Sequence, residues 1–214
     1  MGEVTEHVTL RVNGTTREMD VPARRLLSDA LRHDLRLTGT HVGCEHGVCG
    51  CCTVLLDDTP VRSCLMFAVS ADGHEVTTVE GLSPGEGERE GQGDALHPVQ
   101  RAFQECHGLQ CGFCTPGFVM TVTALLADNP EPDTDEIVEG ISGNLCRCTG
   151  YRNIIASVQR AAELLRDGDG AVPRADDGEV DSHHPPPEAT AGGPYAPAGG
   201  GVPGASNGEP GDGT

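Results

Sequence analysis

Positive charge is scarce in this sequence: 14 Lys and Arg stand against 33 Asp and Glu, for a formal net charge of -19. A nucleic-acid backbone is bound through basic patches that replace released counterions, so this balance excludes that class of partner. Long apolar runs are missing as well, and nothing approaches the roughly 20 residues of a membrane-spanning helix. The N-terminal MGEVTEHVTLRVNG has neither the basic start nor the apolar stretch of a secretory signal, and Glu6 spoils the hydroxyl position of a myristoylation motif. The expected location is therefore the cytoplasm. No Gly-x-Gly-x-x-Gly follows a strand, and neither a Walker loop nor a Gly-x-Ser-x-Gly elbow occurs. Signatures of nucleotide handling and of hydrolytic chemistry are thus absent.

Cysteine, by contrast, is abundant, with ten in 214 residues. A reducing compartment disfavours structural disulfides, which leaves metal binding or redox chemistry as the use of these thiols. Their spacing decides between the two, and it has to be set on the chain's elements first.

Residues 5–20 alternate loosely between apolar and polar, with Asn13-Gly14 in the middle, and this predicts a tight hairpin of two short strands. Leu26, Leu27, Ala30, Leu31 and Leu35 recur at helical spacing. A Gly- and Cys-rich loop runs from Gly43 to Cys52, and strands are expected at Thr53 to Leu56 and Val76 to Val79, separated by the Asp57-Asp58 turn and Cys64. This order is a small α+β pattern compatible with a β-grasp domain over residues 1–80. Residues 81–94, rich in turn formers and without apolar periodicity, read as a linker.

Beyond the linker the period becomes helical. Pro98 suits a first helical position ahead of Val99, Ala102, Phe103 and Cys106, and Gly108 ends that segment. Thr115-Pro116 opens a second helix carrying Phe118, Val119, Val122, Leu125 and Leu126, stopped by Asn129-Pro130. Asp133 with Glu136 forms a capping box for a third, ending near Gly143. Ile154, Ile155, Val158, Ala161, Ala162 and Leu165 mark a fourth. An all-α four-helix domain over 95–166 is the expectation. Residues 167–214 hold twelve Gly, eight Pro, nine acids and one Arg, which predicts a disordered acidic tail.

Cys44-x4-Cys49-x2-Cys52 with Cys64 twelve residues later is the plant-type ferredoxin spacing for a 2Fe-2S centre. Gly43, Gly47 and Gly50 allow the backbone to curl close to a compact anionic cluster and turn amide N–H groups toward its sulfurs. Structural zinc sites usually pair two Cys-x2-Cys knuckles, and this loop has one. The second set is Cys111-x2-Cys114 with Cys146-x-Cys148. Its spacing alone leaves iron–sulfur and zinc both open, although thiolates placed before two helix N-termini suit an anionic centre. Of the remaining thiols, Cys106 reads as a small buried hydrophobe, and Cys51, next to Cys52, should point away from the cluster. The nine histidines, His41, His46 and the tail pair His183-His184 among them, are assigned no ligand role.

The segments GCEHGVCGCCTVLLDDTPVRSC, QCGFCTPGFVM and ISGNLCRCTGYRNI together resemble the iron–sulfur subunit of the molybdenum hydroxylases, the family of xanthine dehydrogenase, aldehyde oxidase and aerobic carbon monoxide dehydrogenase. The likeness spans about residues 5–166. It implies an N-terminal β-grasp ferredoxin-like domain followed by a four-helix domain, each with one 2Fe-2S cluster. It also implies that Cys111, Cys114, Cys146 and Cys148 hold the second cluster, nearest the molybdenum cofactor, while the ferredoxin-type cluster passes electrons toward FAD. On the same ground Gln110 and Cys148 are expected to touch the molybdopterin. The implied partners are a large molybdopterin-binding subunit and a medium FAD-binding subunit, assembled as a dimer of heterotrimers. This chain would carry electrons and leave substrate chemistry to the large subunit. A free-standing two-cluster ferredoxin shuttle is the alternative. Cys51 departs from the family pattern, in which a small residue is common, and the acidic tail lies outside the likeness.

Overall fold

Asn13 and Gly14 both take positive φ, 49° and 73°, as a two-residue type I′ turn requires. In the computed structural model, which describes residues 4–83 and 96–168, this turn joins β1 (Thr5–Val12) to β2 (Thr15–Pro22) in antiparallel register from Thr5↔Pro22 to Val12↔Thr15. The Asp57-Asp58 turn, with φ of 46° and 62°, makes a second hairpin between β3 (Thr53–Leu56) and β4 (Thr59–Arg62). The sequence reading has the turn but not β4, because Thr-Pro-Val-Arg is short and contains a proline. Pro60 is tolerated there since β4 is an edge strand. β5 (Glu75–Thr77) completes a mixed sheet of order β2-β1-β5-β3-β4, with β1 and β5 parallel. It stops short of the expected Val79 because the Asn13 side chain captures Thr78: Asn13 Oδ1 accepts from the Thr78 amide at 2.9 Å and Asn13 Nδ2 donates to its hydroxyl at 3.0 Å.

One face of the sheet is covered by α1, a single helical turn at Leu27–Asp29 that widens into a π turn at Ala30–Asp34, where the Leu35 amide reaches Ala30 O. Val8, Leu10 and Val12 alternate inward from β1 and meet Leu27, Ala30, Leu31, Val54 and Val76 in an apolar core.

Four helices make up the described C-terminal part: α2 (Pro98–Glu105), α3 (Thr115–Asp128), α4 (Thr134–Ile141) and α5 (Arg152–Arg166). The Asp133/Glu136 capping box is formed. A second core of Val99, Phe103, Phe118, Val122, Ile137, Ile154 and Val158 lies between these helices. Of the two leucines near the end of α5, Leu164 is buried and Leu165 only partly covered. Cys106 sits at the C-cap of α2, half-buried rather than in the core. Leu82 packs on the helical core and Ser83 donates to Gln100 Oε1 at 2.8 Å. Residues 84–94 of the linker reading, and the tail reading from residue 169 onward, lie outside the described residues. Within the described residues no helix is long and apolar enough to cross a membrane.

α2 is capped by a side chain that sequence reasoning passes over. His97 Nδ1 accepts from the Val99 amide at 3.3 Å, and Gln100 Oε1 accepts from the His97 amide at 3.1 Å, a reciprocal box. His97 is 6 % exposed, and burial pushes its pKa down to about 4. Protonation also removes the Nδ1 acceptor. A histidine whose pKa is depressed on folding favours the folded state above the unfolded pKa of 6.5, and this contribution is lost as pH falls toward 4. The stability loss expected by pH 5 is about 2 kcal/mol. Melting curves by circular dichroism at pH 7 and pH 5 check it: His97→Asn, which caps without titrating, should lose clearly less over that step than the native chain.

Candidate metal centres

The 43–52 loop is shaped by three residues at positive φ, Glu45, Gly47 and Gly50. Gly43 is not among them. Its role is space, since a Cβ there would lie 3.1 Å from Phe113 Cε1 and 3.3 Å from Cys49 Sγ. The curled backbone turns amides onto a thiol, with Cys49 N lying 3.4 Å from Cys44 Sγ. The His46 amide foremost, opposed by burial and helped by the Cys49 and Val48 amides, draws the Cys44 pKa down to about 6. That environment favours a thiolate, the form that binds metal.

The thiols come together in pairs. The Cys49 thiol helps to lower the Cys44 pKa, and the Cys52 thiol helps to raise that of Cys64. In the helical part the Cys111 thiol raises the Cys148 pKa, and the Cys146 thiol helps to raise that of Cys114. Each set has an outer and an inner pair: Cys52, Cys64 and Cys114 are buried, whereas Cys111 and Cys148 are exposed. Among the described residues no group of three His, Cys, Asp or Glu side chains is arranged to hold one metal ion. A tetrahedral zinc site needs four donors on a single centre, whereas a 2Fe-2S cluster needs two thiolates for each of two irons. Two pairs of neighbouring thiols in each set suit that two-iron arrangement.

The electrostatics agree with that fit. Burial first, and then the neighbouring thiol, pushes Cys64 and Cys114 up to about 12. Adjacent buried thiols ionise together only with a cation beside them, a charge that a bound 2Fe-2S cluster would supply. Burial is the largest influence on Cys146 too, yet the Thr149 hydroxyl and amide, the Cys148 amide and the Cys114 thiol together outweigh it and hold that thiol below its ordinary value; the Thr149 hydroxyl lies 3.2 Å from Cys146 Sγ. Thr115, which directly follows Cys114, has a buried hydroxyl with no partner, as an acceptor supplied by a bound cluster would leave it.

Cys114 is the N-cap of α3, as the sequence reading expects. The Cys146/Cys148 turn is set back from α5 by Gly150 and Tyr151, both at positive φ. The Tyr151 hydroxyl accepts from the Cys146 amide at 3.0 Å and donates to Asn144 O at 3.3 Å, which holds this turn in place of a regular cap.

Cys51 does not face solvent. It is 4 % exposed and packs in the helical core. Burial, followed by the nearby Cys49 thiol and the charges of Cys49, Cys114 and Cys52, pushes it up to about 12. It thus lies between the two ligand sets, where the α3 backbone comes very close: a Cβ on Gly117 would sit 2.2 Å from Gly50 O. Phe113 bridges the same gap from the other side, with its ring over Gly43 and stacked on His41, whose Nδ1 lies 2.8 Å from Phe113 O. Sequence reasoning passes over Phe113, Asn144, Thr149 and Tyr151. Only their position within the cysteine motifs marks them, since none is itself a metal-ligand residue type in the expected pattern.

Residues 10–79 match the family model of the 2Fe-2S iron–sulfur cluster binding domain, and residues 78–159 match that of a second 2Fe-2S binding domain. The small subunit of nicotine 6-hydroxylase from Paenarthrobacter nicotinovorans is 49% identical over 163 residues, 76% of this chain and 93% of that one. The gamma subunit of caffeine dehydrogenase from Pseudomonas sp. (strain CBB1) is 56% identical over 155 residues, 71% of this chain and 88% of that one. Among solved structures, quinoline 2-oxidoreductase from Pseudomonas putida 86 superposes with a TM-score of 0.70 at 48% identity, covering 77% of this chain and 98% of the chain matched. With two 2Fe-2S binding domains in this order and relatives of this identity, the chain belongs to the iron–sulfur small subunits of the molybdenum hydroxylases, the electron-transfer subunits of these oxidoreductase complexes.

Proposed function

We propose that the chain conducts electrons from a cluster held by Cys111, Cys114, Cys146 and Cys148 to one held by Cys44, Cys49, Cys52 and Cys64. The observation that carries this reading is the pairing of thiols in both sets, with Cys114 in the same buried cluster as Cys51 of the ferredoxin-type loop and Cys146 and Cys49 packed against it. A bound 2Fe-2S cluster supplies one-electron storage. The protein's part is to hold the thiolates, keep their inner pairs dry and fix the two sets relative to each other.

The relay has two ends. At one, Cys111 and Cys148 lie at the surface beside the exposed Gln110, Leu109 and Leu145. This end is assigned to the molybdopterin of a large subunit, with Gln110 and Cys148 as the contacting residues. At the other, the partly exposed Cys44 and Cys49 are rimmed by Val48 and by Leu65, which rests on Gly47. This end is assigned to the FAD of a medium subunit. Exposed apolar residues around each mouth suit burial in such contacts. In this reading the sheet domain is of the β-grasp type over residues 1–80 and the helical domain is the four-helix type over 95–166, with 81–94 as linker and 167–214 as tail. The complex is a cytoplasmic dimer of heterotrimers.

Iron and acid-labile sulfide per chain, measured on anaerobically purified protein together with low-temperature EPR after dithionite reduction, test the proposal. The expected result is four iron and four sulfide, as two 2Fe-2S clusters require, with two distinct signals. Zinc with no EPR signal would overturn it.

A further inference from the structure

The two ligand sets are joined by a small polar network centred on Asn144. This residue is 1 % exposed. Its Nδ2 donates to Gly50 O at 3.1 Å, between the ligands Cys49 and Cys52, and its Oδ1 accepts from the Thr121 hydroxyl at 3.0 Å. Its own carbonyl accepts from Tyr151, the residue that fixes the Cys146 amide. The adjoining Leu145 amide donates to Cys49 O at 2.9 Å, so one hydrogen bond and one peptide unit separate ligand Cys49 from ligand Cys146. Arg62 closes the edge, donating to Gly143 O at 2.7 Å and to the Thr53 hydroxyl at 2.5 Å.

Backbone pairing alone does not account for a buried amide at this place. Gly50 O already accepts from the Thr53 amide and hydroxyl, so Asn144 is not needed to satisfy it. What the carboxamide adds is a rigid strut: one end is held by α3 through Thr121 and the other presses the Cys146 turn onto the Cys49–Cys52 loop. Tunnelling between redox centres weakens steeply with separation, so a strut of this kind bears directly on the rate.

We propose that Asn144 is a positioning residue for electron transfer between the two clusters, setting their separation by clamping one ligand loop to the other. The proposal rests on the ligand assignment given under the proposed function, and its test keeps the two apart. Asn144→Ala, in the full chain within its complex, is reduced anaerobically with dithionite. Iron, sulfide and the low-temperature EPR spectrum are then compared with those of the native protein. The expected result is native iron and sulfide and both 2Fe-2S signals at native intensity, with a weakened spin–spin interaction between them. That interaction depends on distance and is untouched by a merely structural loss of stability. Full cluster content with an unchanged interaction would overturn the clamp and leave the ligand assignment standing. Absence of iron from the native protein would instead remove the assignment itself. Should Asn144→Ala lose a cluster, Thr121→Val decides by the same readout, since it keeps the side-chain volume and removes only the bond that holds Asn144 Oδ1. Rescue by Thr121→Ser, which restores the hydroxyl, completes the test.

Discussion

Replacing Cys148 with serine should abolish the 2Fe-2S signal of the helical part and halve the iron per chain, while the ferredoxin-type signal persists. Cys148 is exposed and neighbours Cys111, so with the proposed ligand set its loss would leave one iron with a single thiolate. Serine is a poor substitute because its hydroxyl ionises far less readily than a thiol and is a harder donor. Independence of the second set follows from the ligand census: Cys44, Cys49, Cys52 and Cys64 lie in other loops and share no residue with it. The contacts that join the loops run through residues 143–145 and Thr121, not through Cys148, so the fold should survive. Iron analysis with EPR of the purified variant checks this. Equal loss of both signals with the secondary structure intact would contradict independent sites.

Gly117→Ala should be among the most damaging single-methyl additions in the chain. In an ordinary helix the change favours folding by about 1 kcal/mol. Here the added Cβ would lie 2.2 Å from Gly50 O, 2.9 Å from Cys51 Cα and 3.0 Å from Gly50 C. All three are backbone atoms and none can rotate away, so α3 and the cluster loop must separate. Overpacking of this sort costs about 1–3 kcal/mol or more, which outweighs the helical gain. The expected readouts are a melting temperature lower by several degrees and depleted iron in the ferredoxin-type site. Gly140→Ala is the informative control. Its Cβ would meet Leu125 Cδ2 at 2.9 Å, a flexible side-chain end that can move, so little loss of stability is expected. A Gly117→Ala chain as stable as that control would show that the close approach of α3 to Gly50 does not exist.

Both predictions turn on a junction that is nearly invisible in the sequence. The ligand loops are legible because a compact cluster imposes short, fixed spacings on its cysteines, and the turns are legible because Asn-Gly and Asp-Asp pairs take positive φ locally. Helix positions follow from apolar periodicity, and the α4 capping box from the spacing of Asp133 and Glu136. Cys51 shows where this logic stops. Strand alternation turns it away from Cys52, yet it cannot reveal that a helix more than sixty residues later covers that side. β4 is missed because edge pairing, not periodicity, makes those four residues a strand.

By itself the sequence determined the two cysteine frameworks, the change from strand to helix along the chain and the apolar stripes, all properties set by neighbours a few residues apart. Only the tertiary structure decided which thiols pair, which pair of each set is buried, and that Asn144, Thr121 and Arg62 tie the loops together. Those contacts join residues far apart in the chain, such as Gly50 with Asn144. Their energetics depend on burial and on close backbone approach, which local spacing does not encode.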